Sequence, residues 1–194
     1  MRKLIMKMSV SADGFVGTGD GSGAWMFKSS TEDSRAWAIQ PTLDAGLIIM
    51  GRQSYDGWAT YWPTAPGPFA APMNEIPKAV FTTQKGFKPS ESKPGASAAE
   101  ISWSSAQVFD GNLAEEISKL KQQPGKHILA IGGAGFMRSL VATGLIDEYY
   151  LPIHPVALGA GLQIFNGVAK PLHLKLASSQ TFTGGIVGNI YKPE

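Results

Sequence analysis

Two short runs constrain this chain more than anything else in it. Leu47-Ile48-Ile49-Met50 is apolar at every position, as is Ile128-Leu129-Ala130-Ile131. Each stops at glycine, and a helical pattern begins at once. A strand with one wet face alternates apolar and polar residues, whereas a fully apolar strand is buried on both faces. Such strands belong to a parallel sheet with helices packed on either side.

Other segments extend the same alternation. Leu4 to Val10 predicts a first strand closed by Ser11-Ala12-Asp13-Gly14, and Thr31 to Leu43 a mostly polar helix carrying Trp37 and Ile39. Pro63 to Pro77 reads as a loop, Lys78 to Thr82 as a strand, 84–100 as a surface excursion, and Ile101 to Ser104 as a further strand. Asn112 with Glu115 marks a helix start, and Pro124-Gly125 its stop. Asp147 to Val156 predicts a long strand. His173 to Phe182 and Ile186 to Tyr191 alternate around Gly184-Gly185, so the sheet should end in an antiparallel hairpin. The expected architecture is α/β, with a mixed, mostly parallel sheet, in one domain spanning residues 1–194.

Composition excludes several functions. The net charge of +2 is too small to predict a nucleic-acid or membrane surface. No apolar run approaches membrane-spanning length, and the charged Met1–Met8 segment is unlike a secretory signal. Cysteine is absent, which removes thiolate metal sites and fits a reducing cytoplasm. The three histidines lack ligand spacing, so no metal is expected.

The chemistry concentrates at strand ends. Gly132-Gly133-Ala134-Gly135 follows one apolar run. Glycine lets a backbone approach a ligand closely, and the first turn of a helix offers free N–H groups, a combination suited to phosphate. The turn is not the dinucleotide fingerprint, because Arg138 stands where a third glycine or alanine is required. The other run leads into Gly51-Arg52-Gln53-Ser54, where the Arg52 guanidinium suits a pair of phosphate oxygens. Thr82 and Thr83 could add hydroxyl donors at a third strand end. Two anion-friendly junctions predict one extended ligand with several phosphates.

Taken together, Met50-Gly51-Arg52-x-Ser54-Tyr55, Phe81-Thr82-Thr83 and Gly132-Gly133-Ala134-Gly135 resemble the cofactor-contacting segments of dihydrofolate reductase-like proteins. Closer still is the reductase domain of bacterial riboflavin biosynthesis with its single-domain relatives. Ser9–Phe15 is similar to that family's S-x-D-G opening. Gly144–Glu148, followed by Ile153–Gly161, is similar to its G-L-[IV]-D-E and P-V-x-L-G-x-G segment. Gly57-Trp58-x-x-Tyr61-Trp62-Pro63 matches stand-alone members. The ordered set covers nearly the whole chain.

The resemblance implies a dihydrofolate reductase-like three-layer α/β/α sandwich and NADPH as cofactor. Gly51, Arg52 and Ser54 would lie at the adenosine and 2′-phosphate side, with Thr82 and Thr83 flanking the adenosine. Gly132, Gly133, Ala134 and Gly135 would meet the pyrophosphate. It further implies reduction of a ribosylaminopyrimidine phosphate or another small heterocyclic substrate, and a homodimer in the cytoplasm. The zinc deaminase step that often accompanies this reductase is not expected, since its cysteines and H-x-E motif are missing.

On the substrate side, Asp13 is the candidate polar or catalytic group, because it follows the first strand beside Gly14. Trp25 and Phe27 are candidate walls for a flat ring, and His154 a candidate pocket residue. Glu32 and Asp33 lie where dihydrofolate reductases keep a pteridine-pairing carboxylate, but Ser29-Ser30-Thr31-Glu32 also reads as a helix cap, the preferred reading.

Overall fold

The computed structural model describes residues 1–194. Its strands are β1 (Leu4–Lys7), β2 (Val10–Ser11), β3 (Leu47–Gly51), β4 (Lys78–Phe81), β5 (Gln107–Phe109), β6 (Ile128–Ile131), β7 (Glu148–His154), β8 (Leu174–Thr181) and β9 (Val187–Pro193). Its helices are α1 (Glu32–Leu43), α2 (Arg52–Tyr61), α3 (Ala70–Glu75), α4 (Ala98–Ser104), α5 (Leu113–Gln122) and α6 (Ala134–Ala142), with 3₁₀ turns at Ala24–Lys28 and Trp62–Thr64.

One sheet runs in the order β5-β4-β3-β6-β1-β7-β9-β8, and β2 adds a short pairing to β7. All pairings from β5 across to β7 are parallel. β9 pairs antiparallel with β7 and β8, which gives the expected C-terminal hairpin. The fold is thus an α/β/α sandwich on a mixed, mostly parallel sheet. The two apolar runs are neighbours at its centre, with Ile49 in register with Ala130. Every residue of β3 and β6 is buried, as an unbroken apolar pattern requires, and β4 is buried throughout as well, its Lys78 included. Met73, Trp103, Ile117, Leu120, Met137 and Leu140 bring helices onto the same core.

Three local expectations change. Ile101–Ser104 belongs to a helix, α4, and the strand lies further on at Gln107–Phe109. Ser97 and Glu100 explain this. The Ser97 hydroxyl accepts from the Glu100 N–H at 3.2 Å, and the Glu100 carboxylate accepts from the Ser97 N–H at 2.8 Å, a reciprocal cap that starts a helix. The Pro63–Pro77 segment is not all loop, because α3 forms within it. Pro72 sits in the first turn, where its missing N–H is harmless. The first strand is shorter than the Leu4–Val10 run, and Met8 and Ser9 separate β1 from β2.

Thr31 caps α1, as the sequence suggested. Ser34 is its reciprocal partner.

Candidate functional site

The carboxyl ends of β1, β3, β4 and β6 meet on one edge of the sheet, where open α/β folds place ligands. Gly51 is in register with Phe81, Phe81 with Phe109, and Lys7 with both Ile131 and Tyr150. A groove of about 460 Å³ opens here between α2, β4 and α6. Gly51, Arg52, Thr82, Thr83, Gly133 and Gly135 line it, while Ser54, Gly132 and Ala134 lie just outside its lining.

The glycines differ in what they do. Gly132 and Gly133 have φ of +77° and +79°, the left-handed region that glycine enters without a side-chain clash. A Cβ on Gly132 would stand 2.3 Å from Cη2 of Trp58, so that ring lies directly on the turn. A Cβ on Gly51 would stand 2.7 Å from Cβ of Phe136, which fixes how closely α6 approaches β3. Around Gly135 there is open space. Gly133 caps α6, and its carbonyl accepts from the Met137 N–H at 2.9 Å. The first N–H groups of a helix have no intrahelical partner, and those of α6 begin beside the groove. The Ser54 hydroxyl reaches the same turn, 3.2 Å from where a Gly133 Cβ would be.

Arg52 is exposed at the start of α2. Its Nε lies 3.2 Å from an Asp56 carboxylate oxygen, a second nitrogen donates to Gln84, and the guanidinium lies 5.2 Å from the Phe87 ring centroid. The Thr82 hydroxyl accepts from the Gln84 N–H at 3.1 Å, while the Thr82 N–H donates to the Phe109 carbonyl. Phe81 stacks on Phe109 at 5.0 Å and on Phe136 at 5.3 Å. Sequence reasoning missed this three-ring stack, although Phe81 and Phe109 both end strands.

Towards β7 the surroundings change. Asp13 sits in the turn after β2, exposed. Its carboxylate accepts from the Ser11 hydroxyl at 2.5 Å and from the Gly159 N–H at 2.7 Å. These bonds, the Ser11 hydroxyl first, hold it below the usual carboxylate range. His154 ends β7, buried, with Nδ1 2.9 Å from the Ser29 hydroxyl. Burial lowers its pKa. Trp25 meets His154 edge-on at 5.2 Å, and the buried Trp25 indole N–H has no acceptor. The structure therefore brings Trp25 and His154 together, whereas Phe27 is 76% exposed. Asp33 does not face the cleft as a free carboxylate, because both its oxygens accept hydrogen bonds from Thr31, Ser34 and Thr183.

Lys7 is a further residue that sequence reasoning passed over. It ends the central strand β1, half-buried, with its ammonium 4.9 Å from the Phe69 ring centroid. It has no ion pair, and desolvation lowers its pKa to about 8. The available signal was a lone charge closing an apolar strand.

This architecture and edge-on cleft define a dihydrofolate reductase-like α/β protein. A dihydrofolate reductase from Enterococcus faecalis superposes with a TM-score of 0.61 at 11% identity, covering 99% of this chain and 96% of that one. The sequence profile of the RibD C-terminal domain matches residues 2–188, so the chain belongs to that family. Uncharacterized protein YyaP of Bacillus subtilis (strain 168) is 31% identical over 191 residues, covering 98% of this chain and 94% of the relative. The diaminohydroxyphosphoribosylaminopyrimidine deaminase/5-amino-6-(5-phosphoribosylamino)uracil reductase of Thermotoga maritima superposes with a TM-score of 0.67 at 14% identity. All of this chain is covered, and 57% of the Thermotoga protein. At these identities the superpositions establish the fold. No helix is long and apolar enough to cross a membrane.

Proposed function

We propose that this chain is an NADPH-dependent reductase of a small planar heterocycle, with 5-amino-6-(5-phosphoribosylamino)uracil as the first substrate to test. The observation that carries the reading is the single groove gathering Arg52, Thr82, Thr83, Gly133 and Gly135 at the carboxyl ends of β3, β4 and β6. The donor set suits a nucleotide with several phosphates. Helix α6 turns unpaired N–H groups toward the groove, Gly135 leaves its wall open, and Arg52 supplies a cation for a 2′-phosphate. The Phe81, Phe109 and Phe136 stack offers apolar surface beside Thr82. When bound, the cofactor supplies a hydride, and the protein's task is orientation and water exclusion.

Lys7 and the Trp25–His154 wall form the substrate side of this reading. Tyr150 is in register with Lys7, and His154 lies four residues further along β7, about 13 Å at roughly 3.3 Å per residue. Lys7 has a pKa of about 8 and no carboxylate partner, so it can hold or release a proton near neutrality. The Trp25 N–H is a free donor for a ring carbonyl. Asp13 remains ionised, which suits it to holding the turn through Ser11 and Gly159 rather than to proton donation. The occupied Asp33 carboxylate disfavours pteridine pairing of the dihydrofolate kind. The reductase unit is residues 1–194, acting in the cytoplasm as a homodimer.

The test is loss of NADPH absorbance with the pyrimidine substrate, with dihydrofolate alongside. Oxidation with the pyrimidine alone is expected. NADPH binding without oxidation of either substrate refutes the enzyme reading in favour of a nucleotide-binding protein. Absence of any NADPH-induced rise in melting temperature at saturation refutes the cofactor site itself.

A further inference from the structure

The β8–β9 hairpin lies at the outer edge of the sheet, yet its tip reaches the segment that carries Trp25. Asp33, the second residue of α1, accepts through one oxygen from the Thr183 N–H at 2.9 Å and the Thr183 hydroxyl at 2.8 Å. Its other oxygen accepts from the Thr31 hydroxyl and, at 2.8 Å, from the Ser34 N–H. Four donors on one carboxylate hold it ionised, well below the usual carboxylate range.

The next residue, Gly184, is pressed against the chain leading into α1. A Cβ there would stand 1.9 Å from the Ser29 carbonyl oxygen and 3.0 Å from Cγ2 of Thr31. This is backbone against backbone, and no side chain fits. Ser29 in turn places its hydroxyl 2.9 Å from Nδ1 of His154, whose ring meets the edge of Trp25. The hairpin is anchored from behind by buried Phe182, which packs on Trp37 of α1 at 5.7 Å.

We propose that the hairpin tip positions the Trp25–His154 wall. Asp33 holds Thr183, Thr183 seats Gly184 on Ser29, and Ser29 sets the His154 ring against which Trp25 stands. A buried N–H without a protein acceptor contributes to binding only if its direction is held, because a misdirected donor loses its bond and stays desolvated. Asp33, Thr183 and Gly184 are therefore positioning residues for a ligand bearing a carbonyl acceptor. Thr183 and its partner Asp33 are 150 positions apart in the chain. The proposal rests on the reading of this wall as the substrate side.

The experiment uses nitrogen-labelled full chain, whose five tryptophans and three histidines give few side-chain signals. Gly184→Ala forces Ser29 away from the tip. At constant pH it should shift the Trp25 indole and His154 imidazole resonances, while Trp58, Trp62 and Trp103 stay in place and NADPH titrates as in wild type. Thr183→Val should shift the same two signals, and Thr183→Ser, which keeps a hydroxyl for Asp33, should restore them. If Gly184→Ala does not fold, the Thr183 pair decides alone. The proposal is overturned if Trp25 and His154 do not move, if all five tryptophans move together, or if serine fails to restore what valine shifts. Should the wild-type chain bind no NADPH, the reductase reading falls, while the coupling from hairpin to wall is still read from the same two residues.

Discussion

Replacing Gly132 and Gly135 separately by alanine should split one glycine-rich turn into two roles. At Gly132 the φ of +77° places an alanine in the left-handed region, at a cost of roughly 1–2 kcal/mol. Its Cβ would also stand 2.3, 2.8 and 2.9 Å from three carbons of the Trp58 ring. Crowding of that kind costs about 1–3 kcal/mol, because ring and backbone must both give. Gly132→Ala should therefore lose about 2–5 kcal/mol of stability, the sum of the two terms. Gly135 is the second residue of α6, outside the left-handed region, with nothing near its would-be Cβ. Alanine there should gain up to about 1 kcal/mol from the lost flexibility of the unfolded chain. Its methyl group enters the groove wall, however, so NADPH should bind more weakly. Urea unfolding with NADPH titration of each variant reads both quantities. Adding Trp58→Ala to Gly132→Ala removes the crowding and leaves the backbone term of roughly 1–2 kcal/mol, measured against Trp58→Ala alone. The reasoning fails if Gly132→Ala unfolds within about 0.5 kcal/mol of wild type. It fails equally if Gly135→Ala destabilises the chain while binding NADPH unchanged.

Two further predictions concern charge. Arg52→Ala should weaken NADPH by roughly tenfold to a hundredfold, the value of a charged hydrogen bond of about 1.5–3 kcal/mol, and leave NADH unaffected. An unchanged preference between the two nucleotides in paired titrations removes Arg52 from the 2′-phosphate. Lys7→Met should stabilise the chain at pH 7 and do so less above pH 10.5. The pKa of Lys7 is lowered in the fold to about 8 from 10.5, so the unfolded chain binds the extra proton between those values and wild-type stability recovers as pH rises through them. Urea unfolding at pH 7 and near pH 11 checks the sign, and an equal effect at both refutes the burial of a charged Lys7.

Much of the fold was legible because β3 and β6 are apolar throughout, and no other environment suits such strands next to glycine. The α1 cap and the α5 start were legible for a similar reason, since a cap is written within four residues. Ile101–Ser104 misled because a short apolar and polar alternation fits a strand as well as the exposed side of a helix. The Ser97–Glu100 pair that decides the matter lies just before it. In the candidate site, the glycines and Arg52 carried their own chemistry. Lys7 did not, since a lysine among apolar residues shows its lowered pKa only once β6, β7 and Phe69 surround it. The same holds for Asp33, whose partner Thr183 is far along the chain and whose fourfold bonding no local pattern announces.

The central place of β1 has a consequence for how the chain comes into being. This strand precedes every other strand in the chain, but its neighbours in the sheet are β6 and β7. The Leu4 N–H finds its carboxylate acceptor at Asp147, 143 positions later. During synthesis the most apolar part of the N-terminal segment must therefore wait, unpaired, until Ile128 and the rest of β6 have been made. Contacts closed over such distances form slowly and leave sticky intermediates exposed. Polar substitutions at the apolar positions Leu4, Ile5 and Met6 should thus lower yield more than they lower equilibrium stability, a burden that falls on chaperones rather than on the finished protein.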